Sequence, residues 1–181
     1  MTTRRHDPQR RDRIVDACLD VIAEVGVAGT THRRVALAAD VPLGSMTYHF
    51  SGMDELLRAA FERFSSRASE RFEERLSVAT SAAEARETLV DVMLNDVFTT
   101  RSDLVLTHEL YTLAARDEGY RTITEAWMQR SRAVLEEHFD PATARILDAL
   151  MEGLTIHRAL STAPFDERVV AAAVERVARE R

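Results

Sequence analysis

The sequence predicts an all-α chain of about nine helices, with a three-helix head at the N-terminus and a longer helical bundle behind it. Two observations carry this. Apolar residues recur at three- and four-residue spacing almost throughout, the period of one helix face, while β-branched runs stay short. Proline and glycine number only four and six in 181 residues and fall mainly between periodic segments. At 45% hydrophobic and 30% charged residues, the chain has material for a real core and a wet surface. No apolar run reaches the roughly eighteen residues of a membrane span. Residues 1–13 are polar and arginine-rich, without the apolar stretch of a secretion signal. These features point to a cytoplasmic protein with no membrane contact. A single cysteine, Cys18, can make neither an internal disulfide nor a zinc site alone. It reads as a small core residue in a reducing compartment, with a redox-sensing thiol as the other reading.

In chain order, the first helix spans about 8–25, its apolar face built from Ile14, Cys18, Val21, Ile22 and Val25. Gly26 and Gly29 end it, because glycine accepts the left-handed geometry common after a helix. Thr31 is a natural N-cap for a short helix over 32–39. Asp40-Val41-Pro42 breaks that helix, and a third of about two turns runs from Leu43 to Phe50. Ser51-Gly52 turns the chain into a long fourth helix from Asp54 to about Val78. Five more follow over about 82–99, 102–116, 120–139, 141–161 and 166–180. Asp117-Glu118-Gly119, Asp140-Pro141 and Ala163-Pro164 punctuate them, and Pro141 suits a first helical turn, where its missing N–H costs nothing.

Charge is unevenly placed. The chain carries −6 overall, yet residues 1–13 hold five arginines, Arg4, Arg5, Arg10, Arg11 and Arg13, against Asp7 and Asp12. An acidic body with a basic end fits nucleic-acid contact confined to that end. Residues 31–50 are the segment that can use it: two short helices around a tight turn form a helix-turn-helix, too short to stand without a third helix. Val35, Ala36 and Ala39 offer a small apolar face that lets helices cross closely, and Val41 plugs the turn. The second helix of such a unit enters the major groove by its N-terminal end, here Leu43-Gly44-Ser45-Met46-Thr47. Gly44 has no side chain to collide with a DNA backbone, Ser45 and Thr47 carry short hydroxyls, and Tyr48 and His49 can donate to phosphate oxygens.

The stretch Gly29-Thr30-Thr31, Val35-Ala36, Val41-Pro42-Leu43-Gly44-Ser45, Tyr48-His49-Phe50 and Asp54-Glu55-Leu56-Leu57 closely resembles the DNA-binding head of the TetR family of bacterial regulators. The resemblance covers about residues 10–57. It implies that Thr31 and Arg33 contact phosphate, that Leu43, Gly44, Ser45 and Thr47 face the groove, that Tyr48 and His49 clamp the backbone, and that Phe50 is core. Two positions depart from the family habit, Thr47 where tyrosine is common and Met53 where lysine is common, which shifts backbone contact towards Arg33, Tyr48, His49 and the N-terminal arginines. The Arg4-Arg5 arm fits either a reach to phosphates or the minor groove, or a solvated tail.

Behind the head, residues 58–181 show no phosphate-binding glycine loop, no metal-ligand spacing and no nucleophile motif, so neither an enzyme nor a cofactor is expected. His108 beside Glu109, and Glu152 near His157, lack the spacing that places two side chains on one helix face. Bulky and flexible side chains crowd helices four to seven. They read first as core; the resemblance also implies a small-molecule pocket there, with Phe64, Met93, Val97, Phe98, His108, Tyr111, Trp127 and Met128 as candidate lining and Asn95 and Thr107 as further polar positions. The expected ligand is small and largely apolar or aromatic, with one or two polar groups. Helix eight is apolar over more than one face, with Ala149 and Gly153 four apart, and helix nine adds further valines. Leu147, Leu150, Gly153, Leu154, Val170 and Val174 are therefore the candidate homodimer interface. The implied division is a DNA-binding head over 1–53 and a ligand-binding and dimerisation bundle over 54–181. The implied function is a repressor freed from a palindromic double-stranded operator by a small molecule; the other reading is a DNA-binding homodimer without an effector.

Overall fold

The computed structural model describes residues 9–179, and among these every regular element is a helix. The Arg4-Arg5 arm and the expected outermost ends of the first and last helices lie outside the described residues. Helix α1 (Arg10–Gly29) is broken at Gly26, whose φ of 70° marks the stop expected from its glycine. Thr30 Oγ1 closes that turn by donating to the Gly26 carbonyl at 2.8 Å. α2 (His32–Ala38) starts on Thr31, whose hydroxyl accepts from the Arg34 amide at 3.3 Å. Asp40, at φ 51°, turns the chain into α3 (Gly44–His49). α4 (Met53–Leu76) follows at once, its first turn tied back by Glu55 Oε2, which accepts from the Ser51 amide and hydroxyl, each at 2.7 Å.

The bundle continues with α5 (Ala82–Asn95), α6 (Arg101–Ala114), α7 (Glu118–Glu136), α8 (Pro141–Leu160) and α9 (Arg168–Val177). Ser81, Thr100, Asp117 and Asp140 cap four of these by accepting from free first-turn amides, each cap contributing about 1 kcal/mol. α5 stops four residues short of the expected end. The Arg158 guanidinium donates to the carbonyls of Leu94 and Val97 and so takes the place of further helical partners, and Phe98 then adopts a left-handed φ of 51°.

Two apolar clusters hold the chain. The first joins α1–α3 to the start of α4 and to α6 and α7, with Ile14, Cys18, Ile22, Met46, Phe61 and Leu110 fully enclosed. Burial pushes the Cys18 thiol up to about 12, so the cysteine is a protonated core residue rather than a reactive thiol. The second cluster joins the far end of α4 to α5, α7, α8 and α9 through Leu76, Leu89, Leu135 and Leu147. α4 and α7 contribute to both. Leu147, Val170 and Val174, expected at a dimer interface, instead lie inside this second core, where no partner can touch them.

Candidate DNA-binding surface and ligand cavity

On the head, α2 and α3 bury Val35, Ala36 and Met46 and leave a continuous outer surface. Tyr48 is 81% exposed and Leu37 82%, with Leu43 exposed beside them, although nothing in one protomer rewards uncovering such side chains. Thr31, Arg33, Gly44 and Thr47 share this exposure, and His49 is half-buried, its ring edge-to-face with Tyr48 at 4.9 Å. Ser45 is a correction: it is buried against the head, so it cannot offer its hydroxyl to a base edge. A Cβ built on Gly44 meets nothing within 4 Å, so the glycine is not required by the fold. Leu37 and Arg34 belong to the surface but were not expected there. Leu37 sits opposite the Val35/Ala36/Ala39 face, the one signal that marked it.

The cavity lies between α4, α6, α7 and α8. Its inner chamber, about 110 Å³, is walled by Phe64, Phe98, Tyr111, Trp127 and Met128 among the expected residues. Trp127 stands between Phe64 (5.5 Å, edge-to-face) and Tyr111 (6.4 Å). Val97 lines an adjoining chamber of about 330 Å³ that shares Ala68, Trp127 and Met151 with the first. Together the two reach the range of small-molecule sites. Met93 and His108 line neither. Met93 is buried in the second core, and His108 turns Nδ1 to the Leu104 carbonyl at 2.7 Å. Asn95 is likewise occupied, donating to Asp91 at 2.7 Å.

The polar side of the wall was mostly unforeseen. Asp148 and Glu152 of α8 reach the inner chamber, as does Thr107 of α6. Burial pushes the Asp148 carboxyl up to about 6, against the opposing pull of Arg132 at 3.7 Å. Burial first, and then the negative Glu152 beside it, hold the Tyr111 phenol well above its ordinary value. Asp148 and Glu152, the two carboxylates of α8 and four apart on it, were the available signal.

Between the two surfaces runs a set of charged ties. Arg58 donates to Asp54 at 2.8 Å and Asp117 at 3.1 Å while lying 4.5 Å from the Tyr120 ring centre, and Tyr120 donates to Asp54 at 2.8 Å. Asp54 is held below the usual carboxylate range, chiefly by the Arg58 hydrogen bond. Arg63 bonds Asp12, and Arg67 pairs with Asp16 at 2.9 Å, joining α4 to α1. Glu109 of α6 reaches the α1 break, where its carboxylate fills the space a Gly26 Cβ would need. On α8, Ile146, Ala149 and Leu160 are exposed and Gly153 is open to solvent, an apolar row along one face that Val169 of α9 extends.

Residues 14–60 match the family described as bacterial regulatory proteins of the tetR family. Residues 80–180, more than half the chain, match the tetracyclin repressor-like C-terminal domain. The HTH-type transcriptional regulator CymR of Pseudomonas putida is 29% identical over 131 residues, 71% of this chain and 63% of CymR. SCO7518 of Streptomyces coelicolor A3(2) is 53% identical with a TM-score of 0.90, over 96% of this chain and all of that one. The multidrug binding protein EbrR, solved with ethidium, is 34% identical with a TM-score of 0.77, over 93% of this chain and 98% of that one. With both the helix-turn-helix head and the C-terminal bundle matched, the chain belongs to the TetR family of helix-turn-helix transcriptional regulators.

Proposed function

We propose that the protein is a homodimeric repressor whose operator is released when a small aromatic molecule enters the cavity between α4, α6, α7 and α8. The division of labour falls near residue 53: the segment before it reads DNA, and the segment after it senses and dimerises. The observation that carries the reading is the position of α4, which leaves the recognition helix at Met53 and forms a cavity wall with Phe64 and Ala68. Any occupant that moves α4 therefore moves the head. The relative EbrR, solved with ethidium, proflavin and malachite green, supports an aromatic occupant. The chamber of about 110 Å³ and its 330 Å³ neighbour share the Ala68 wall of α4, so an occupant spanning both presses on α4, which is what a switch requires.

Thr31, Arg33, Leu43, Gly44, Thr47, Tyr48 and His49 form the proposed DNA surface, extended by Arg34 and Leu37. Leu150, Gly153 and Leu154, with Ile146, Ala149 and Leu160, form the proposed dimer face, and pairing α8 and α9 across a two-fold axis would cover it. The test is selection of bound sites from random DNA, followed by a gel shift with malachite green. The expected site is palindromic, and the dye should free it from the parent protein. A Trp127→Ala variant should bind the same DNA with a weakened dye response, which separates cavity occupancy from dye binding to DNA itself. Release equal in parent and variant overturns the reading.

A further inference from the structure

Four carboxylates and one guanidinium, that of Arg71, line the inner chamber among the described residues. Two of the carboxylates are already occupied. Asp96 pairs with Arg75 at 3.1 Å, and Asp103 accepts from the Thr100 hydroxyl at 2.8 Å while its amide is capped by the same residue. Asp148 and Glu152 share a single ion-pairing arginine between them, Arg132. They stand one helical turn apart on the same face of α8, about 6 Å between Cβ atoms. Asp148 has a long ion pair, with Arg132 at 3.7 Å, feels Arg145 of the same helix more weakly, and its side chain is 16% exposed. Glu152 makes no ion pair among the described residues and accepts a hydrogen bond from the Tyr111 phenol, so its charge is met by a neutral donor alone. Two like charges this close, with little solvent, repel each other and are costly to hold.

A second, independent observation lies across the chamber. The Thr107 side chain is 2% exposed, yet its Oγ1 has no hydrogen-bond partner. Threonine in a helix ordinarily satisfies itself on a carbonyl of the preceding turn, as Thr155 does with Met151 at 2.7 Å. An unsatisfied buried hydroxyl costs about 1–3 kcal/mol unless something fills the place. It lines the chamber that the two carboxylates also line. Between them stand Phe64, Tyr111 and Trp127, whose ring faces are negative and attract cations. A divalent metal does not fit this lining, since no group of three metal-ligating side chains occurs among the described residues. An anion would meet four like charges.

We propose that the chamber is a receptor for an aromatic organic monocation bearing a free amino group: Asp148 and Glu152 take its charge, Phe64, Tyr111 and Trp127 its rings, and the Thr107 hydroxyl its N–H donor. This rests on the reading of the cavity as the effector site. With Arg132 on Asp148, the single charge of the ligand balances the remaining carboxylate, and Thr107 gains the partner it lacks. A neutral aromatic of the same size would gain only the ring contacts.

The test uses the full-length protein and calorimetry at pH 7.5 with three tricyclic probes: proflavin, a monocation with free amines; acridine orange, of the same ring and charge with its amines methylated; and xanthone, which is neutral. Proflavin should bind tightest and xanthone weakest. Asp148→Asn and Glu152→Gln should each weaken proflavin about tenfold while leaving xanthone unchanged. Thr107→Val should weaken proflavin several-fold and acridine orange hardly at all. Circular dichroism of each variant confirms that the fold persists. Lowering the pH to 5.5 protonates Asp148, among Arg132 of α7, Arg145 and Glu152 of α8 and Tyr111 of α6, so proflavin should weaken in the parent but not in Asp148→Asn. Absence of proflavin binding, xanthone binding as tight, or charge variants of unchanged affinity would overturn the proposal. A neutral compound that fills the chamber and frees DNA would sink the cation assignment and leave the effector reading standing. Proflavin held by these residues without any change in the affinity for DNA would do the reverse.

Discussion

Replacing Asp148 by asparagine should stabilise the protein at neutral pH, although it removes one partner of an ion pair. Burial pushes the Asp148 carboxyl from an ordinary 3.8 to about 6, with Arg132 opposing the shift only in part. A group bound more tightly to its proton in the folded state lowers stability as pH rises. The cost is absent below about 4, grows between about 4 and 6, and is complete above about 6. Two pKa units correspond to about 3 kcal/mol at most, and some solvent access and relaxation reduce this to about 1–3 kcal/mol. Asparagine is a close stand-in for the neutral acid, so the variant should recover that amount at pH 7.5 and little of it at pH 4. In thermal melts at matched protein concentration the gain would read as several degrees, at about 2–4 °C per kcal/mol for a chain of this size. Repeating the melts from pH 4 to pH 7.5 maps the difference. A variant less stable than the parent at pH 7.5 would show that the Arg132 pair outweighs the burial of the charge and refute the argument.

Gly44→Ala fills open space and improves helix propensity, so the melting temperature should hold or rise while operator affinity falls; unchanged affinity in a gel shift would place α3 away from the DNA backbone. Tyr48→Phe and His49→Ala should each weaken operator binding about tenfold at matched salt, with circular dichroism unchanged. Ile146→Glu puts a charge on the exposed α8 row, and sedimentation at micromolar concentration should show monomer where the parent shows dimer; a monomeric parent ends the dimer reading. Arg58→Ala removes the tie between α4 and the start of α7, and the ratio of malachite green affinities with and without saturating operator should move towards one. An unchanged ratio would mean that coupling bypasses Arg58.

The helices were legible because each buries one face, and the period of that face survives in the sequence. The head was legible for a second reason: a tight turn between short helices admits few residues at Thr31, Ala36 and Val41. What the pattern could not carry was the destination of an apolar face. Leu147, Val170 and Val174 have the same period as Ile146 and Leu160, but the first three turn into their own protomer and the last two do not. Met93 fits a flexible lining as well as a core, and packing alone decides between them. Asp148 and Glu152 resemble any solvated helix pair until α6 and α7 are laid over them. Ser45 shows the limit at single-residue scale: one helix position separates a groove-facing hydroxyl from a buried one.

The link from cavity to DNA turns on where α4 is held and where it is free. Twenty-four residues make a rod about 36 Å long. Near its N-terminal end Arg58 is bonded to Asp117 ahead of α7, and about one and a half and two and a half turns further on Arg63 and Arg67 are bonded to Asp12 and Asp16 of α1. The first apolar cluster surrounds this part of the rod, so α1, α3 and the lower half of α4 have little freedom to move separately. Phe64 and Ala68 meet the cavity on the other side of the same turns. A molecule that spreads α4 from α7 therefore cannot simply bend the rod and leave the head in place, because the arginine ties carry α1 with it. In a dimer, two heads must present α3 about 34 Å apart to reach successive major grooves. Tilting both rods by a few degrees changes that separation by ångströms, enough to cost contacts at both half-sites together. The energy available is the difference in ligand affinity between the two head spacings, and bound DNA must lower ligand affinity by the same factor that ligand lowers DNA affinity. On the proposed reading, the α8 carboxylates, which share Arg132, would place that difference inside the cavity, where contact with α4 and balance of charge on α8 would occur in one event.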